Sequence, residues 1–118
     1  MENKVYYLAT CTTCKRILKE LALPEDFARQ EIKSNPLSKA QLEELKAKTG
    51  SYESLFNRRA QLYRKRGLQD KTLSERDFKE LILEHYTFLK RPVFVIGGTA
   101  FVGNSKKTIE ALKAKWIK

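Results

Sequence analysis

The sequence predicts an α/β protein: a four-stranded mixed sheet flanked by helices, with a helical insertion in the middle of the chain. Three observations predict it. The chain opens as strand, helix, strand. It closes as a hairpin followed by a helix. Between strand and helix at the start stands Cys11-Thr12-Thr13-Cys14, the redox signature of a thioredoxin-like domain.

The elements follow in order. Val5-Tyr6-Tyr7-Leu8 is aromatic and β-branched, and short enough for a buried strand. After the cysteines, Ile17, Leu18 and Leu21 share one face of a helical pattern, with Lys15, Arg16, Lys19 and Glu20 mostly elsewhere. Pro24 marks the end of that helix. Phe27 to Ile32 is a weaker strand pattern. Ser38 begins a helix with Gln41 as its capping-box partner, Leu37 can staple onto Leu42, and Gly50 is a stop. Residues 51–66 read as helical and strongly basic. Ser74 can cap a further helix whose Phe78, Leu81, Ile82 and His85 share a face. Then the period changes. Val93-Phe94-Val95-Ile96 is a strand, Gly97-Gly98 permits a tight turn, and Ala100-Phe101-Val102 returns beside it. Gly103-Asn104-Ser105 leads into a last helix with Ile109, Leu112 and Trp116 inward.

The 118 residues fit one domain, 1–118, whose helical insertion spans about 33–92. A chain of this length buries a hydrophobic core without staples. No apolar run is long enough to span a bilayer. The start, MENKVYYLATC, lacks the apolar stretch and cleavage site of a signal peptide, so a cytoplasmic location is expected. Twenty-four Lys and Arg against 14 Asp and Glu give a net charge of +10. That excess favours anionic partners as well as solubility.

Both cysteines of the chain lie in the one motif. A permanent disulfide is not expected in a reducing compartment, and so short a loop adds little entropy. A pair cycling between dithiol and disulfide fits better. A nucleophilic sulfur must be a thiolate, and an ordinary thiol is mostly protonated at neutral pH. Cys11 just before a helix faces unpaired N–H groups and the positive end of the dipole, which favour the anion. Lys15, Arg16 and a folded-back arginine would act in the same sense. Cys14, one turn on, can attack a bond made at Cys11. Two plainer alternatives stand beside this. Cys14 can be an inert core residue. The pair can be half of a zinc site, but His85 is the one further soft ligand and a closed site needs four, so no metal is expected.

Three linked segments carry a resemblance that covers essentially the whole chain: Tyr7-Leu8-Ala9-Thr10-Cys11-Thr12-Thr13-Cys14-Lys15-Arg16, Leu55-Phe56-Asn57-Arg58-Arg59, and Glu84-His85 followed by Leu89-Lys90-Arg91-Pro92-Val93. The chain resembles the arsenate reductase (ArsC)/Spx family of thioredoxin-fold proteins. The resemblance implies that Cys11 is the nucleophile; the place of Cys14 one turn on makes it the resolving thiol of this reading. It implies that Arg91 binds the oxyanion or stabilises the cysteine, with a cis bond to Pro92. It implies that an arginine of the insertion approaches the site, Arg59 first and Arg58 next. Candidate catalytic residues are thus Cys11, Cys14 and Arg91. Candidate substrate-binding residues are Thr12, Thr13, Lys15, Arg59 and Pro92. His85 has no catalytic assignment; one polar residue on an apolar face is usually a hydrogen-bonded packing residue.

The chain also departs from the family. Glutaredoxin-coupled arsenate reductases carry a further arginine after the hairpin, where Gly103 stands here, and commonly have a single active-site cysteine. The Cys-x-x-Cys and the glycine look more like the Spx branch. The leading expectation is a thiol-dependent oxidoreductase acting on an oxyanion or disulfide, with no resident cofactor and with glutathione or a thioredoxin/glutaredoxin-type donor as co-substrate. The alternative is an Spx-like redox regulator that binds the α subunit of RNA polymerase. A basic nucleic-acid binder ranks last: no helix-turn-helix is evident, and aromatic residues that could stack bases are scarce among Arg58, Arg59, Arg64, Lys65 and Arg66. Direct DNA binding is not expected, nor is a membrane partner; a monomer is.

Overall fold

The computed structural model describes residues 3–116; residues 1–2 and 117–118 of the expected 1–118 domain lie outside the described residues. The chain divides into two compact units, one formed by Met1–Asn35 with Arg91–Lys118, the other by Pro36–Lys90.

The first unit holds the sheet. Strands β1 (Lys4–Tyr7), β2 (Ala28–Glu31), β3 (Val93–Ile96) and β4 (Thr99–Val102) stand in the order β2-β1-β3-β4. β1 and β2 run parallel, with Tyr7 opposite Glu31. They are joined by helix α1 (Thr12–Leu21), the crossover that a parallel pair requires. β3 is antiparallel to both β1 and β4 and is buried at all four positions. Gly97 and Gly98 adopt φ of 59° and 81°, the left-handed pair demanded by a two-residue hairpin turn. Alternation along the strands puts Val5, Phe94 and Ile96 on one face. There they form a core with Ile17 and Leu21 of α1, Phe27, and Leu112 of helix α2 of this unit, Lys106–Trp116. Trp116 closes the edge of that core. Its ring meets Phe27 edge-on at 5.4 Å, and its indole N–H donates to the Leu21 carbonyl at 3.0 Å. The Arg29 guanidinium ties down the connection before β2, donating to the carbonyls of Pro24 at 3.2 Å and Phe27 at 3.3 Å.

The second unit carries two full helices, Lys39–Thr49 and Glu75–Glu84. Both begin with complete capping boxes, Ser38 with Gln41 and Ser74 with Asp77. The first ends at Gly50 with φ of 94°. Between them the structure corrects the sequence reading of residues 51–66. These residues form a 3-10 turn (Glu53–Leu55), an extended Phe56, a turn at Arg58-Arg59, and a short helix (Gln61–Lys65). The reason is a tertiary pairing. Phe56 bridges Leu89, the Asn57 N–H donates to the Phe88 carbonyl, and the Lys90 N–H donates to the Leu55 carbonyl. Phe56 is thereby drawn fully inside, stacked on Phe88 at 5.4 Å and beside Phe78 at 4.9 Å. Among the described residues, no helix is long and apolar enough to cross a membrane.

Candidate functional site

The site begins in the turn after β1. The Cys11 N–H donates to the Leu8 carbonyl at 3.0 Å, closing residues 8–11 into a turn. Cys11 then caps α1: its backbone is extended (φ −86°, ψ 112°) and its Sγ accepts the Cys14 N–H at 3.4 Å. The first turn of the helix contains no acidic residue. The helix terminus therefore presents its donors and dipole to sulfur without a competing carboxylate. Helical period places Cys14 with Ile17 and Leu21 on the buried face, so Cys14 is fully covered while Cys11 is half-buried.

The two thiols differ in acidity for identifiable reasons. Partial burial alone would raise the Cys11 pKa. The Cys14 N–H and thiol, the positive charge of Arg91 and the Thr13 N–H outweigh it and hold the pKa below the ordinary thiol value. Cys14 is pushed up to about 12, first by its burial and then by hydrogen bonding to Cys11 and repulsion from the charge there, against the opposing pull of a backbone group at Leu8 and of Arg91. Of the two, Cys11 is therefore the more acidic, and any thiolate of the pair forms first on the more accessible sulfur.

Arg91 is the cation that bears on this sulfur. Its peptide bond to Pro92 is cis, and Pro92 is buried. The segment after β4 braces this corner. The Gly103 N–H donates to the Pro92 carbonyl at 2.9 Å, and the Asn104 side-chain amide donates to the Arg91 carbonyl at 3.4 Å. Gly103 takes φ of 87°, in the left-handed region where a side chain is disfavoured.

Of the residues singled out from sequence, the first unit carries Cys11, Thr12, Thr13, Cys14, Lys15, Arg91 and Pro92. Thr13 acts through its backbone N–H. Lys15 and Arg16 are exposed, and Arg16 lies 4.0 Å from Glu20; the positive charge that lowers the Cys11 pKa is that of Arg91. Arg59 belongs to the second unit and is exposed. Arg58 and Arg66 in the same unit pair with Glu53 at 2.6 Å and Glu84 at 2.7 Å. His85 does not continue the helical face. The helix stops at Glu84, and the His85 imidazole Nδ1 accepts the Thr87 N–H at 3.1 Å, a hydrogen-bonded packing role. Among the described residues, no group of three or more His, Cys, Asp or Glu is placed to hold a metal ion.

Sequence reasoning missed two residues. Asn104 braces Arg91 from thirteen positions away. Glu31, at the end of β2, receives the Ala9 N–H on Oε2 at 2.8 Å. Both contacts join segments far apart in the chain, which no local pattern encodes.

Comparison with known proteins places this geometry among others. A family model described as the ArsC family matches residues 6–112. No match is found among curated proteins. Among solved structures, a YffB protein superposes with a TM-score of 0.78 at 25% identity, covering 97% of this chain and 98% of that one. A possible arsenate reductase from Streptococcus mutans gives a TM-score of 0.70 at 27% identity, covering 94% and 97%. An arsenate reductase from Vibrio cholerae shares the fold, with a TM-score of 0.72 at 23% identity over 96% and 97%.

Proposed function

The chain belongs to the ArsC family, and from that premise we propose that it is a thiol-dependent oxidoreductase in which Cys11 attacks and Cys14 resolves. The observation that carries this reading is the division of labour between the two sulfurs. One is half-buried, with a pKa lowered by the helix terminus and Arg91; the other is covered, with a pKa pushed up to about 12.

On a disulfide substrate, the Cys11 thiolate forms a bond to one sulfur and the other leaves as a thiolate. Cys14 then loses its proton, attacks Cys11 Sγ, and releases the second thiol, leaving a Cys11–Cys14 disulfide. On an oxyanion such as arsenate, Cys11 displaces water from the protonated anion to give a sulfur–arsenic bond. A second thiol attacks Cys11 Sγ, and arsenic leaves with the electron pair as arsenite. That second thiol is Cys14 or glutathione. A glutathione/glutaredoxin or thioredoxin-type donor supplies the two electrons that restore the dithiol, and no resident cofactor is needed. Arg91 stabilises charge on the bound anion. Family resemblance adds Arg59 as a second cation, and Thr12, Thr13, Lys15 and Pro92 as the wall of the substrate site.

The test measures turnover of arsenate and of a glutathione mixed disulfide with each donor system, for wild type, Cys11→Ser and Cys14→Ser. Loss with Cys11→Ser alone supports external resolution; loss with both supports the internal disulfide. Full activity of Cys11→Ser overturns the proposal. Arg59→Gln, assayed alongside, decides whether that side chain serves the anion.

One observation favours a second reading. Gly103, at φ of 87°, stands where the resemblance puts a third arginine in glutaredoxin-coupled arsenate reductases. That suits an Spx-like regulator whose cysteine oxidation alters its hold on RNA polymerase. Absence of turnover, together with redox-dependent capture of the purified polymerase α subunit, would favour it.

A further inference from the structure

One carboxylate, tied to the turn that precedes the nucleophile, does more than end a strand. Glu31 closes β2 opposite Tyr7, and the ladder continues through the Ile32 N–H to the Tyr7 carbonyl at 2.9 Å. Its two oxygens serve different parts of the chain. Oε1 accepts the N–H groups of Lys33 at 3.0 Å and Ser34 at 2.8 Å, and the Ser34 hydroxyl at 2.9 Å. Those three contacts shape the local turn. Oε2 reaches 22 residues back and accepts the Ala9 N–H at 2.8 Å. Ala9 is the second residue of the turn that the Cys11 N–H closes onto the Leu8 carbonyl.

We propose that Glu31 is a positioning residue for the Cys11 nucleophile: its carboxylate pins Ala9, and with it the Leu8–Cys11 turn that delivers Sγ to the start of α1. The inference rests on the reading of Cys11 as nucleophile. The local turn after β2 needs only Oε1. The long-range bond at Oε2 has no part in that turn, and its partner is two residues from the reacting sulfur. A carboxylate so surrounded by donors stays ionised: burial opposes ionisation, but the N–H groups of Ala9, Ser34 and Lys33 and the Ser34 hydroxyl hold Glu31 below the ordinary carboxyl range. Ionised, it has only acceptors to offer, which suits the Ala9 N–H.

Positioning and plain charge make opposite forecasts. A negative charge near a thiolate disfavours it, so removing the charge would make Cys11 more acidic. If Glu31 instead holds the turn, Glu31→Gln places an amide NH₂ against donors on one side or the other. Sγ then leaves the helix terminus and Cys11 becomes less acidic. The experiment is the pH dependence of Cys11 alkylation by iodoacetamide in wild type, Glu31→Gln and Ser34→Ala. The expected result is a midpoint moved up in Glu31→Gln, with the rate at pH 7 lowered roughly tenfold. Ser34→Ala, which leaves the Ala9 contact in place, should retain the wild-type midpoint. An unchanged or lowered midpoint in Glu31→Gln overturns the proposal.

A second measurement needs no variant. In wild type, the Ala9 amide proton should shift in NMR spectra as acid protonates Glu31, with a midpoint below that of an ordinary carboxyl. An Ala9 amide blind to that titration also overturns it. A wild-type Cys11 with ordinary thiol acidity would sink the proposed function itself. Normal wild-type reactivity that ignores Glu31 would sink this inference alone.

Discussion

Burial by itself would raise the Cys11 pKa; the Cys14 N–H and thiol, the charge of Arg91 and the Thr13 N–H together bring it below the ordinary thiol value. The balance is measurable. Iodoacetamide should label one cysteine in the native protein and two after denaturation, because Cys14 is fully covered and titrates only near 12. The labelling rate should climb as pH rises through the Cys11 midpoint and level off above it. That midpoint should lie below the reference thiol value of 9.0. Two labels at pH 7 without denaturant would contradict the assignment of roles. Arg91→Gln should raise the midpoint and lower kcat/KM by roughly 100-fold, as loss of an anion-stabilising group does. Steady-state turnover and the same labelling curve check both effects.

At the scale of elements, what could be read in advance depended on how local the signal was. The Ser38–Gln41 box, the Gly50 stop and the Gly97-Gly98 turn are each written within a few residues, and each is found. Residues 51–66 looked helical because nothing local shows that Phe56 pairs with Leu89, 33 positions on. His85 was placed on an apolar helical face because period alone does not reveal that its ring prefers to cap the next turn. Cys11 as a cap was legible, since a strand, a cysteine and a helix stand in direct succession. Its acidity was legible in direction, and the family resemblance pointed to Arg91 as the cation; no local pattern does so, because Arg91 reaches the sulfur from a segment far along the chain. The C-cap of α1 offers a prediction at this scale. Ala22 is exposed and left-handed at φ of 49°, a conformation that disfavours a Cβ. Ala22→Gly should stabilise the fold by about 0.5–1 kcal/mol, whereas Ser38→Ala should destabilise it by about 1 kcal/mol. Denaturant midpoints of the two variants decide both.

For the molecule as a whole, the +10 charge is the property that reaches furthest. A field of that sign concentrates anions near the surface at low ionic strength and fades as the Debye length shrinks from about 30 Å at 0.01 M to about 8 Å at 0.15 M. Iodoacetate and iodoacetamide attack the same sulfur but differ in charge. Iodoacetate should lose several-fold of its rate advantage across that range, while iodoacetamide stays level. Parallel behaviour of the two reagents would show that the charge lies away from the approach to Cys11. The four-stranded mixed sheet and the closing ββα segment were legible from the whole pattern of the sequence, because strand period, the glycine turn and the final helix agree with one another; the strand order was not read there.

In the proposed mechanism the sulfur that caps α1 is also the sulfur that reacts. Once it is bonded to a substrate or to its neighbour it no longer carries the anion that the Cys14 amide was holding. The opening turn of the helix is then left to find water or fray. Loading of the site is thus registered in the backbone as well as in the side chain, and amide exchange at Cys14 becomes a clock for how long the covalent intermediate lives.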